Sequence, residues 1–154
     1  MSFVVFDPYS GASGDMLVAV LAGLLDGMSV QKLEASDPLG RLNAMLDSLH
    51  PGLAFRFFSE KRNGIVYRRA EVEVLHDHSE GHGHHHSHHH GTSWRRIREQ
   101  LAAASAGHPS MADATAVFAR LARAESKAHG VLEDDVNFHE AGALDSIADI
   151  CGAA

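Results

Sequence analysis

Residues 76–91 carry no apolar side chain. A stretch of that kind has nothing to bury and shows no helix or strand periodicity, so it cannot join a packed core. It therefore splits the chain, and any core must be built jointly by the residues on either side. At 154 residues the chain is long enough for one domain with a sizeable core. We expect 1–75 to form the α/β first part of that domain, 76–91 a flexible loop, and 92–154 its helical remainder, truncated at the C-terminal end.

The flanks carry clear periodic signals. Phe3-Val4-Val5-Phe6 reads as a short buried strand. Residues 14–28 read as a well-buried helix, with Leu17, Val20, Leu21, Leu24, Leu25 and Met28 at helical spacing. Residues 38–49 repeat that pattern with Leu39, Leu42, Met45, Leu46 and Leu49. Residues 53–62 and 65–75 read as a β-hairpin closed by Asn63-Gly64. In its second strand Val66, Ala70, Val72 and Val74 point one way, and Arg68 interrupts them. After the loop, Thr92 or Ser93 can cap a helix bearing Trp94, Ile97 and Leu101. Residues 109–129 form the clearest helical stripe, ended by Gly130. A short strand at 136–138 and a last helix from Leu144 complete the reading. The expected class is α/β (α+β), a small sheet with a β-hairpin packed by helices, plus a disordered histidine-rich loop.

That loop holds nine of the thirteen histidines: His76, His78, His82, His84, His85, His86, His88, His89 and His90. Neutral imidazole suits Ni²⁺, Cu²⁺, Zn²⁺ and Co²⁺. Glycine and serine between the ligands keep the backbone loose, so exchange should be fast, which suits capture and delivery better than catalysis. An expression tag would sit at a terminus and run uninterrupted, and a solvated linker would not need nine imidazoles. The residues alone leave the metal open, because the affinity order favours copper over nickel.

Two other stretches carry chemistry. Phe6-Asp7-Pro8-Tyr9-Ser10-Gly11-Ala12-Ser13-Gly14-Asp15-Met16 joins the expected strand to a helix. Ser10, Gly11, Ser13 and Gly14 could cradle a phosphate or carboxylate at the helix N-terminus, and Asp7 and Asp15 could hold a hydrated Mg²⁺ or Mn²⁺. The alternative is a tight connection in which Ser13 or Asp15 merely caps the helix. No Gly-Lys-Ser/Thr follows, so it is not a Walker A loop. Near the other end lie His129, His139, Glu140, Asp145 and Asp149. Asp145 and Asp149 share a helix face, and two carboxylates so placed repel unless a cation sits between them. Capping by Asp145 and simple solvation of Asp149 would explain the pair equally well. We expect Asp7, Asp15, His139, Glu140, Asp145 and Asp149 to share one cleft apart from the histidine loop. Cys151 reads as a small buried hydrophobe.

Composition limits the partners. A net charge of −7 argues against a broad nucleic-acid or anionic-membrane surface. The longest apolar run is too short to cross a bilayer, and the N-terminus lacks the basic start of a signal peptide. A single cysteine excludes an intramolecular disulfide. The expectation is a cytoplasmic protein.

Taken together, the opening motif, the internal histidine-rich loop after a hairpin, Ala124-Glu125-Ser126-Lys127-Ala128-His129-Gly130, and Phe138-His139-Glu140-Ala141-Gly142-Ala143-Leu144-Asp145-Ser146-Ile147-Ala148-Asp149-Ile150 resemble the LarC-type nickel insertion proteins. The resemblance runs in the same order over nearly the whole chain. It implies insertion of Ni²⁺ into pyridinium-3,5-bisthiocarboxylic acid mononucleotide, with one carbon–nickel and two sulfur–nickel bonds formed. That is a chelatase or cyclometallase activity of the lyase class, which consumes CTP with Mg²⁺ or Mn²⁺. It also implies Asp15, His139, Glu140 and Asp145 as catalytic candidates, Ser10, Gly11, Ser13 and Gly14 as cofactor-binding, and Asp7 and Asp149 as metal ligands beside the nine loop histidines. Family members are considerably longer, and nucleotide use is expected in their C-terminal part. The chain is therefore expected to be the N-terminal piece. An apolar face with Ile147 and Ile150 would then await a C-terminal region, a partner chain or a homo-oligomer contact. A metal-storage or metallochaperone module that acts by binding only is one competing reading. A phosphate-handling metalloenzyme built on the glycine turn is another.

Overall fold

A computed structural model describes residues 5–32, 37–74, 92–139 and 141–154. The elements run α1 (Gly14–Lys32), α2 (Pro38–Leu49), β1 (Leu53–Arg62), β2 (Ile65–Val74), β3 (Thr92–Ser93), α3 (Trp94–Ala104), α4 (Met111–His129), β4 (Asn137–Phe138) and α5 (Leu144–Ala153), with a 3-10 turn at Glu133–Asp135 before β4. This is the α+β class read from the sequence: among the described residues, two two-stranded antiparallel sheets and five helices. The loop 76–91 lies outside the described residues.

Local chemistry fixes most boundaries. Asn63 (φ 52°) and Gly64 (φ 83°) both take the left-handed conformation, which a two-residue hairpin turn requires. The ten-residue register from Leu53↔Val74 to Arg62↔Ile65 follows from that turn. Asp37 caps α2, its carboxylate accepting the Gly40 N–H at 2.9 Å, with Pro38 at the first helical position. Ser93 caps α3 by accepting the Arg96 N–H. The Trp94 N–H donates to the Val136 carbonyl at 2.9 Å, which ties α3 to the segment entering β4. Gly130 closes α4 in the left-handed conformation.

One core joins both flanks of the loop. Val18 and Ala19 of α1, Leu46 of α2, Leu53 and Phe55 of β1, Ile97 and Leu101 of α3, Phe118 of α4, Phe138 of β4 and Ala148 of α5 are all buried in it. Cys151 is buried with them, and burial pushes its thiol up to about 12, so it packs as a small hydrophobe and offers no thiolate.

Four expectations are corrected. The helix over 14–28 is not well buried all along its stripe: Val20, Leu24 and Leu25 are exposed, and Val18, Ala19 and Ala22 make its core face. Val5 and Phe6 belong to no strand and are 74% and 48% exposed, while residues 3 and 4 lie outside the described ones. A buried strand needs a pairing partner, and among the described residues β1 and β2 pair only with each other. The apolar face of α5 is not open: Ile147 is buried and Ile150 packs partly against the same core. Val66, read as core-facing, is exposed, because the hairpin tip projects past its helical cover.

Candidate functional site: an acidic cleft between two helix starts

The two polar motifs meet where the first turn of α1 packs on α5. Asp15 stands in the first turn of α1, Asp145 in the first turn of α5, and Asp149 one turn later on the same face. With Arg69, Ala70, Glu71 and Val72 of β2 they line a cleft of about 380 Å³. The close approach depends on Gly14. A Cβ built there would stand 2.5 Å from Asp149 Cβ and Oδ2, so any side chain would push the helices apart.

Asp149 is the unusual member. Its carboxyl is raised to about 6, first by burial, then by the neighbouring Asp15 and Asp145 carboxylates. A hydrogen bond from the Asp15 backbone N–H works the other way. Its Oδ1 is buried without a hydrogen-bond partner, the only such side-chain atom among the described residues. The Asp145 carboxylate accepts the Ser146 N–H at 2.8 Å.

The other expected residues are placed differently. Asp7, Ser10, Gly11 and Ser13 are exposed in the lead-in to α1. The Ser13 hydroxyl donates to the Asp15 carboxylate, and Gly11 closes a turn on the Pro8 carbonyl. Gly14 packs against Asp149 rather than standing open to a ligand. His139 does not line the acidic cleft. It lines a separate one of about 350 Å³ with Glu125, His129, Val131, Asp135, Val136 and Asn137. There His129 Nε2 lies 3.1 Å from Glu125 Oε2, one helical turn back. Glu140 and the nine loop histidines lie outside the described residues.

Oxygen donors suit Mg²⁺ or Mn²⁺, yet among the described residues no three of His, Cys, Asp or Glu stand close enough to hold a metal ion. The acidic cleft thus does not fit a resident divalent cation. Sequence reasoning also missed the wall of this cleft. Strand alternation alone does not place Arg69 and Glu71 beside the aspartates, where the structure has them.

A small α+β domain whose two helix starts bring three carboxylates together, with a histidine-rich insert between its halves, defines the class: the chain belongs to the nickel insertion protein family, whose model matches residues 4–154. It is 38% identical over 147 residues to the pyridinium-3,5-bisthiocarboxylic acid mononucleotide nickel insertion protein of Nocardioides sp. (strain ATCC BAA-499 / JS614), covering 95% of this chain and 32% of that one. Proteins of the same name from Thermotoga sp. (strain RQ2) and Akkermansia muciniphila are 35% and 36% identical, with 99% and 100% of this chain covered against 36% and 35% of theirs. The chain thus spans about a third of the length of these relatives. No solved structure matches it. No helix among the described residues is long and apolar enough to cross a membrane.

Proposed function

We propose that this chain binds Ni²⁺ and takes part, in the cytoplasm, in its delivery to and insertion into pyridinium-3,5-bisthiocarboxylic acid mononucleotide, a step in making a nickel-pincer nucleotide cofactor. The observation that carries this reading is the acidic cleft: the two motifs most specific to the family resemblance supply its three aspartates. The histidine-rich loop captures the ion, and the cleft receives it as cargo. Such a transfer site needs few protein donors, because the substrate itself supplies one carbon and two sulfurs. The orphaned Oδ1 of Asp149 is the donor we assign to the ion in passage. As the carbon–nickel bond forms, the ring C–H bond breaks and its proton passes to a carboxylate, Asp15 or Asp145. Nickel stays divalent and no electrons are exchanged with a third party. CTP, with Mg²⁺ or Mn²⁺, is assigned to the part of the family's chain that this sequence does not span. His139 and Glu140 remain catalytic candidates, and His139, beside His129, suits a proton relay better than the insertion itself.

The test is formation of the nickel-pincer product, followed by mass spectrometry, with the C-terminal part of a relative supplied in trans. Asp15→Asn combined with Asp145→Asn should lower product at least about 100-fold, in the range of lost general-base catalysis, while nickel loading of the loop persists. Full product from that double variant would remove the cleft from the mechanism. The binding-only alternative, a storage or metallochaperone module, draws on the lack of a close donor trio among the described residues. It expects nickel binding but no product under any supplementation.

A further inference from the structure

A second cleft, of about 360 Å³, adjoins the acidic one and shares Asp15, Arg69 and Ala70 with it. It runs between the N-terminal half of α1, through Met16 and Ala19, and the part of the hairpin nearest its turn, through Arg62, Tyr67 and Arg68. We propose that this cleft, lined by Arg62, Arg68 and Arg69, is an anion subsite that holds the phosphate end of a pyridinium mononucleotide while its ring reaches the neighbouring aspartates. The proposal rests on the substrate class read above and adds to it the residues that recognise the phosphate.

Charge carries the argument. Three guanidinium groups and one carboxylate, Asp15, line this cleft, with Glu60 and Glu71 paired to Arg69 at its rim, in a chain whose overall charge is −7. The adjoining cleft reverses the sign, with Asp15, Asp145, Asp149 and Glu71 against Arg69 alone. The two clefts form one trough, cationic at the hairpin end and anionic where α1 meets α5. A pyridinium mononucleotide has the complementary polarity: a fixed positive charge in the ring and a phosphate across the ribose. Arginine suits the phosphate end because its planar fork matches phosphate oxygens in pairs.

The cations are held in different ways. Arg69 is already held by Glu60, at 3.2 Å, and by Glu71, so it orders the wall more than it waits for a ligand. Arg68 is braced differently, its stem 3.7 Å from where a Cβ on Gly23 would stand and its guanidinium 5.5 Å over the Phe57 ring. That bracing holds a half-buried cation on the strand side facing α1, where the alternation calls for an apolar residue. The Tyr67 hydroxyl donates to Glu60, which leaves its ring as an apolar surface beside exposed Met16, suited to a ribose.

Calorimetric titration of the nickel-free chain tests this with three probes: nicotinic acid mononucleotide, nicotinic acid riboside and inorganic phosphate. The mononucleotide should bind at least ten-fold more tightly than the riboside, which keeps the ring cation and lacks the phosphate, and more tightly than phosphate alone. Arg62→Gln with Arg68→Gln should weaken the mononucleotide at least ten-fold, leaving nickel binding and the circular dichroism spectrum unchanged. Arg68→Lys, which keeps charge and stem, covers the case in which the double variant misfolds, and should weaken the mononucleotide less than Arg68→Gln. Riboside binding equal to the mononucleotide, unchanged affinity in the glutamine variants, or no mononucleotide binding by the parent would each overturn the subsite. None of these results depends on product formation, so the subsite and the insertion reading can fail separately.

Discussion

At the residue scale, Asp149 binds stability to chemistry. Its carboxyl titrates at about 6 in the fold against 3.8 unfolded. Between those values the folded chain holds a proton that the unfolded chain has released, so this group's contribution is full below 3.8 and is lost as pH rises through about 6. Asp149→Asn removes that dependence. The side chain is partly open to solvent, so the full shift overstates the gain, and about 1 kcal/mol at pH 7 is the expected stabilisation. Thermal melts of parent and variant should converge towards pH 4 and separate at pH 7, with the variant melting higher. The same variant should lose insertion if the orphaned Oδ1 receives the ion, the opposite movement of stability and function that a strained site shows. A variant less stable at pH 7 would mean that the Asp15 N–H bond outweighs burial and charge crowding.

At the element scale, what could be read in advance follows from how local each signal is. The hairpin was legible because Asn63-Gly64 states its turn in two residues, and α3 because Ser93 precedes an apolar stripe. At Val5 and Phe6 the strand expectation fails because a strand is a pairing, and a few apolar residues say nothing about a partner. The acidic cleft was half legible. Spacing put Asp145 and Asp149 on one face, and the motif put Asp15 at a helix start, but their meeting depends on α1 packing against α5 through Gly14. The hairpin wall was invisible, because alternation says which way a side chain points and not what stands beside the strand's edge. His139 was grouped with the aspartates by nearness in sequence, yet β4 and the turn after it carry it to the side of α4. The helix junction makes its own prediction. Gly14→Ala puts a Cβ 2.5 Å from the Asp149 side chain and should cost about 1–3 kcal/mol, the usual range for overpacking. Urea unfolding measures the loss, and an unchanged midpoint would show that α1 and α5 are not in tight contact there.

At the scale of the whole molecule, capture and chemistry separate. Only neutral imidazole ligates, and unperturbed histidine titrates near about 6.5, so nickel affinity should fall steeply from roughly pH 7 to pH 5. Replacing the nine loop histidines by serine should abolish that affinity and leave the melting temperature of the metal-free chain unchanged, because residues 76–91 offer no apolar surface to the core. Joined to the cleft, this leads to a sharper expectation: the chain alone should bind nickel without completing the cofactor. Its sequence holds nine histidines between residues 76 and 90 and its structure a cleft with three carboxylates, but its polar motifs contain no Walker-type lysine. It spans about a third of the relatives whose names specify nickel insertion into the mononucleotide. The assay is incubation of the purified chain with Ni²⁺, CTP, Mg²⁺ or Mn²⁺ and the dithiocarboxylate mononucleotide, with product followed by mass spectrometry. No product from the chain alone, and product on adding the C-terminal part of a relative, is the expected pair of results. Multiple turnovers by the chain alone would place the whole reaction in the trough between α1, α5 and the hairpin, and nucleotide use would then be sought among its arginines.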